Sequence, residues 1–465
     1  MSDSVPPEPV FPDTDPEIAA RRRLHLQRHK RRRRMREWRQ RIAFWVGAVL
    51  VGLAGLAFAW LSDRSFGLFQ QLLNHSAVWP WLVTPLGFAL LAWLTQGVLR
   101  EARGSGIPQV IVSIERQDAD LRARLLGAPV VLGKMMLTAG ALLVGGSVGR
   151  EGPTVHVGAA LLYGFGKRLG LHGRHTLSGL ILAGGAAGIA AAFNTPLGGV
   201  VFAIEELTHI FEQRFSGLVL TAVLLGGIVT LGIMGPYSYL GDLGLGLTWG
   251  VGWLAVPVAG IFGGLLGGFY GRLILPTEKG WLGRMNALRR RRPVAFAAGC
   301  GLALAALGLC SGQHVFGTGY AETHAILSGE PVTGDGFLLW KFLANVVSYL
   351  AGIPGGLFSP ALAVGAAMGP WMADWLPGVS LAQCALLGLA AYLAGVTRTP
   401  LTATVITLEM VGSPAMTLPV LAVCLLSSAV SGWLMPVPLY HALAKQVLDA
   451  LTPKRDQGDS GGQHS

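Results

Sequence analysis

Three short runs in this chain join a glycine-rich bend, a proline and an apolar helical stretch: Gly104-Ser-Gly-Ile-Pro-Gln109, Gly149-Arg-Glu-Gly-Pro153 and Gly355-Gly-Leu-Phe-Ser-Pro360. Proline suits the first turn of a helix, where its missing N–H would be unpaired anyway, and glycine lets the backbone bend sharply before it. The remaining amides of such a start point outward unpaired, and with the helix dipole they present a partial positive charge that favours an anion. Several of these ends converging in a low-dielectric region would replace an anion's hydration shell without a full positive charge, which would hold the ion too tightly for release. One Gly-Pro start alone is an ordinary kink; the joint occurrence carries the signal.

Glu151 sits inside the second run, a carboxylate in an otherwise apolar stretch. Read alone it is either a dipole-favoured capping residue or a functional ionisable group within a membrane. Glu205 and Glu206 close the run Val200-Val-Phe-Ala-Ile-Glu-Glu-Leu207, and alone they suit a polar helix end. Lys134 lies seventeen residues before Glu151 in an apolar helix and must be paired there or lose its proton. Ser105 before Pro108 suits a helix cap, Tyr440 an interfacial aromatic and His156 a packing residue.

The elements that must hold these residues are transmembrane helices. The chain has 465 residues, 52% hydrophobic and only 13% charged, with a mean hydropathy of +0.52. Ordinary soluble domains carry roughly 25% charge. Uncharged stretches long enough for a hydrocarbon core of roughly 30 Å recur: Ile42 to Ser62, and about 77–99, 250–271 and 293–312. Others, at 177–193, 357–372 and 399–408, are shorter or broken by glycine and proline, as expected where backbone lines a cavity within protein. The reading is an all-α polytopic membrane protein.

Residues 21–41 hold twelve Lys/Arg against Glu37, which is the whole net charge of +11. Directly before the first span, this run reads as a positive-inside anchor that keeps the N-terminus cytoplasmic, rather than as a nucleic-acid site. Residues 1–41 are expected to be disordered and basic, with a tail at 1–20. A first membrane half spans 42–275. A basic cytoplasmic loop at 276–292 follows, with Arg284, Arg289 to Arg292 and Lys279, and then a second half at 293–450 and a polar tail at 451–465. The halves repeat: Gly152-Pro153-Thr154 to Gly158 matches Ser359-Pro360-Ala361 to Gly365. Thr195-Pro196-Leu197 with Glu205 matches Thr399-Pro400-Leu401 with Glu409, and Gly184 and Gly388 each precede the later proline by twelve residues. Such internal symmetry marks transporters whose substrate site lies between the repeats; parallel and inverted arrangements stay open at this point. Cys300, Cys310, Cys384 and Cys424 sit singly in apolar segments and read as buried hydrophobes rather than metal ligands or disulfides. No HExxH or GxSxG run supports an intramembrane enzyme, and no metal or cofactor is expected.

In order and spacing across about residues 42–450, the three runs together with Tyr440 resemble the signatures GSGIP, GREGP and GxFxP of the CLC family of chloride channels and chloride/proton antiporters. The resemblance implies two inverted structural repeats of tilted, partly broken helices, and a homodimer with one pore per subunit in the cell membrane, moving chloride and protons. It implies that Ser105 and Tyr440 give hydroxyls to chloride, that backbone at Leu357, Phe358, Arg150 and Gly152 completes the anion site, and that Glu151 gates it. An ionised Glu151 imitates the anion; a protonated one swings away. Glu206 matches the inner glutamate through which family antiporters pass protons, and passive channels commonly lack it; a gated channel is the alternative reading. Lys134 and Glu205 would tune the field, and Glu409 would be structural. Gln109 stands where many relatives have an acid. Ser105 in place of proline argues for chloride over nitrate, and the GREGP and GxFxP forms lack the alterations of fluoride exporters.

Overall fold

In a computed structural model, the protein is described over residues 16–97, 99–207, 216–235, 238–277, 280–330 and 336–451, with side-chain surroundings from residue 25 onward. Among these residues it is helical, with no strand and a single isolated bridge between Gly149 and Gly356. Six helices among the described residues are long and apolar enough to cross a membrane, and several others are too short to do so alone. They include Ile107–Glu115, Pro196–Phe202 and Phe358–Ala366.

The N-terminal region departs from expectation. From Pro16 on, one helix runs unbroken to His75, so residues 16–41 are helical rather than disordered. The physical reason is composition: Arg, Lys, Leu, Ala and Gln are strong helix formers, Pro16 occupies the first position, and Arg33 bonds Glu37 one turn on at 3.2 Å. Residues 1–15 and 452–465, and with them most of both expected tails, lie outside the described residues, as does Lys279. Cys384 and Cys424 are buried, but Cys310 is exposed at the end of the helix Pro293–Cys310, where its apolar character suits lipid as well as core.

Helices cross closely where glycines meet. A Cβ on Gly158 would stand 2.2 Å from the carbonyl oxygen of Gly184, and one on Gly184 would stand 2.2 Å from that of Gly158. The pair lies between the helices Glu151–Arg168 and Arg174–Phe193. Gly365 and Gly388 repeat the arrangement between Phe358–Ala366 and Leu381–Thr397, at 2.7 and 2.4 Å. Without a hydrophobic drive between helices in lipid, such backbone approach supplies the packing. The same register continues downstream: Asn194 and Arg398 both adopt left-handed φ, 56° and 61°, before Thr195-Pro196 and Thr399-Pro400.

Candidate anion and proton site

The three glycine bends meet. Gly149 N–H donates to Gly356 O at 2.8 Å and Gly356 N–H to Gly149 O at 2.6 Å, while Gly355 N–H reaches Gly104 O at 3.4 Å. This brings together the starts of the helices Ile107–Glu115, Glu151–Arg168 and Phe358–Ala366. The first bend depends on glycine for its conformation, with φ of 71° at Gly104 and 106° at Gly106. It is fastened by Lys134, fully buried, whose Nζ donates to Arg103 O at 3.1 Å and Gly104 O at 2.8 Å. Lys134 is therefore paired with carbonyls rather than a carboxylate, behind the Ser105 bend.

Ser105 lies against Gly152 so tightly that a Cβ there would stand 2.2 Å from its Oγ. The ring of Phe358 stacks on Tyr440 with centroids 5.9 Å apart and an interplanar angle of 13°. Leu357 precedes it as the cap residue and is buried. The Ser105 and Tyr440 hydroxyls are both buried, and neither has a hydrogen-bond partner among the described residues. Each hydroxyl therefore keeps a proton that it can donate. Ser105 therefore does not act as a side-chain cap.

Glu151 is fully buried and bridges two helix starts. It is the first residue of its own helix, and its carboxylate accepts from Ser359 Oγ and from Ser359 N–H at 3.4 Å. Arg150 does not pair with it. The Arg150 guanidinium turns to Asp63 at 2.6 Å and to Ala59 O at 2.9 Å, so it makes no hydrogen bond to the carboxylate.

Glu205 and Glu206 separate in role. Glu205 accepts from the first amides of the helix Pro400–Val411, Leu401 N–H at 3.1 Å and Thr402 N–H at 2.6 Å. Its counterpart Glu409 accepts in return from Leu197 N–H at 3.1 Å and Gly198 N–H at 2.7 Å, at the start of Pro196–Phe202. Both are helix caps, so Glu205 falls with the scaffold. Glu206 points inward, fully buried, with neither oxygen hydrogen-bonded among the described residues. His156 is buried and bonds Leu125 O at 2.8 Å, a packing role. Gln109 donates to Arg103 O at 2.7 Å, which keeps its effect local.

Four residues went unnoticed in the sequence. Ser359 lay in view within the third run. Lys341 precedes Gly356 by the same fifteen residues that separate Lys134 from Gly149, so the repeat itself pointed to it. Asp63 and His441 carried no sequence signal, because only the folded chain brings them to Arg150 and Glu206.

Apolar spans together with helix ends and ionisable side chains inside them define a multi-pass membrane protein of the ion channel and transporter class. Residues 86–432 match the family described as voltage gated chloride channel, and the chain belongs to that family. It is 31% identical to the H(+)/Cl(-) exchange transporter ClcA of Salmonella paratyphi C (strain RKS4594), over 95% of this chain and 98% of that protein. It is 32% identical to that of Cronobacter sakazakii (strain ATCC BAA-894), over 86% and 88%. Its fold matches a slow cyanobacterial Cl-/H+ antiporter with a TM-score of 0.74 at 23% identity, covering 89% of this chain and 99% of that one. A eukaryotic CLC transporter matches with a TM-score of 0.74 at 22% identity, covering 89% and 75%.

Proposed function

We propose that this chain exchanges chloride for protons across the cell membrane as a homodimer with one pore per subunit and a cytoplasmic N-terminus. The observation that carries the reading is the position of Glu151. Its carboxylate occupies the meeting point of two helix starts, with the free hydroxyls of Ser105 and Tyr440 close by in the same set of packed elements. A carboxylate and a halide compete there for the same partial positive charge. Ionised, Glu151 takes the place of the ion. Protonated, it loses that attraction and releases Ser359, and chloride enters between the hydroxyls and the amides of Leu357, Phe358 and the Arg150-Glu151-Gly152 turn. Competition for one position makes proton binding and chloride binding alternate. The names of the curated relatives support exchange over a passive channel, and so does the buried carboxylate of Glu206, which a passive pore does not need.

The basic residues 21–41 support the cytoplasmic placement of the N-terminus, and Lys134 supports the anion site by fixing the Ser105 bend. In proteoliposomes, Glu151→Gln is expected to pass chloride while proton movement against a chloride gradient disappears. Proton pumping that continues in this variant contradicts the mechanism. Wild-type protein that moves chloride with no protons is a channel.

A further inference from the structure

A buried carboxylate that takes up protons needs a donor that reaches it, and Glu206 has one beside it. His441 follows Tyr440 in the helix Leu439–Leu451, and its Nδ1 lies 3.8 Å from Glu206 Oε1. The His441 side chain is 18% exposed against 1% for Glu206, so one ring touches both the surface and the interior. The end of the protein to which this helix leads is polar. Lys445 and Asp449 are exposed along it, and Gln446 lines a cavity of about 290 Å³ that also holds Arg100, Arg103, Arg289 and Ser105. Among the described residues, the other titratable groups coupled to Glu206 are Glu205, whose oxygens are committed to Leu401 and Thr402, and Tyr440.

We propose that His441 is the proton relay between solvent and Glu206. The step balances. Hydronium gives its proton to the neutral ring and leaves as water, and the ring becomes imidazolium. The Nδ1–H then passes to Glu206 Oε1, leaving a neutral ring and a neutral carboxylic acid; the reverse order empties the site. A small rotation that shortens 3.8 Å to the charge-assisted hydrogen-bond range of about 2.8 Å completes the contact. Imidazole suits the task because its ordinary pKa lies near neutrality, so it both takes and gives a proton there. A lone buried glutamate would otherwise depend on water entering an apolar interior.

The inference rests on the reading of Glu206 as the inner proton acceptor, and the test separates the two. Proton and chloride fluxes are measured together in proteoliposomes for wild type, His441→Gln, His441→Ala with and without added imidazole, and Glu206→Gln. Both His441 variants are expected to move about tenfold fewer protons per chloride while chloride flux persists, and imidazole is expected to restore protons to His441→Ala. An unchanged proton-to-chloride ratio in both variants overturns the relay. So does an equal loss of both fluxes that imidazole does not rescue, which is a packing defect. If Glu206→Gln itself stays coupled, the acceptor is misassigned and the underlying reading fails.

Discussion

The two halves of the molecule agree in scaffold and differ in charge. Lys134 donates to the carbonyls of Arg103 and Gly104, and Lys341, equally buried, donates to those of Val315 at 2.9 Å and Gly317 at 3.0 Å. The bends they hold share the left-handed pairs Gly104/Gly106 and Gly317/Gly319. Glu205 caps a helix of the second half and Glu409 the matching helix of the first. Reciprocal contacts of this kind are what a twofold relation between the halves produces. At the positions that face the site the register holds and the chemistry does not. Glu151 and Arg150 stand opposite Phe358 and Leu357, and Glu206 opposite Met410. The ionisable groups Glu151, Arg150 and Glu206 therefore stand where the repeat is broken, and the paired supports where it is kept.

That comparison can be broken by perturbing matched residues. The largest effect is expected from Lys134→Met and Lys341→Met. Each leaves two buried carbonyls without their donor, at a cost on the order of 2 kcal/mol or more, and both should lower the thermal midpoint in detergent by similar amounts. A large loss at one and none at the other would mean that the two lysines are not equivalent supports. Next come Glu205→Gln and Glu409→Gln, each expected to cost about 1 kcal/mol as a weakened cap. Both should keep protons and chloride coupled; uncoupling in Glu205→Gln alone would return that residue to the proton path.

The smallest effect concerns the flanks of the two bends. Beside the first, Arg124 pairs with Glu101 at 2.9 Å; near the second, His314 stands 3.6 Å from Glu322, and that carboxylate raises the histidine's pKa above its ordinary value. A raised folded pKa contributes stability that is complete below about pH 6.5 and is lost as pH rises through the folded value. Because the histidine side chain is 32% exposed, solvent screening keeps the effect below about 1 kcal/mol. Wild type should therefore lose a small stability advantage over His314→Asn between mildly acidic and alkaline pH. Thermal midpoints across that range check this, and a constant difference would remove His314 from the account.

Much of this was legible in the sequence because glycine and proline dictate backbone. The three helix starts, the repeat through Pro153/Pro360 and Pro196/Pro400, and the close approaches at Gly158, Gly184, Gly365 and Gly388 follow from residues that permit few other conformations. Side-chain partners were not legible, because they depend on which helix lies opposite. Arg150 was adjacent to Glu151 in sequence yet turns to Asp63, and Glu205 was adjacent to Glu206 yet caps a helix nearly two hundred residues away. The helix from Pro16 was missed for another reason: high charge suggested disorder, but the same residues are good helix formers continuous with a span that nucleates them.

The paired amides of Gly149 and Gly356 stitch the starts of the helices Glu151–Arg168 and Phe358–Ala366 to each other, with so little clearance that a methyl group on Gly356 would press within 3.0 Å of the Gly152 nitrogen. A seam of this kind ties the two repeats at the point where their short helices begin, so any motion that parted them there would break both hydrogen bonds at once.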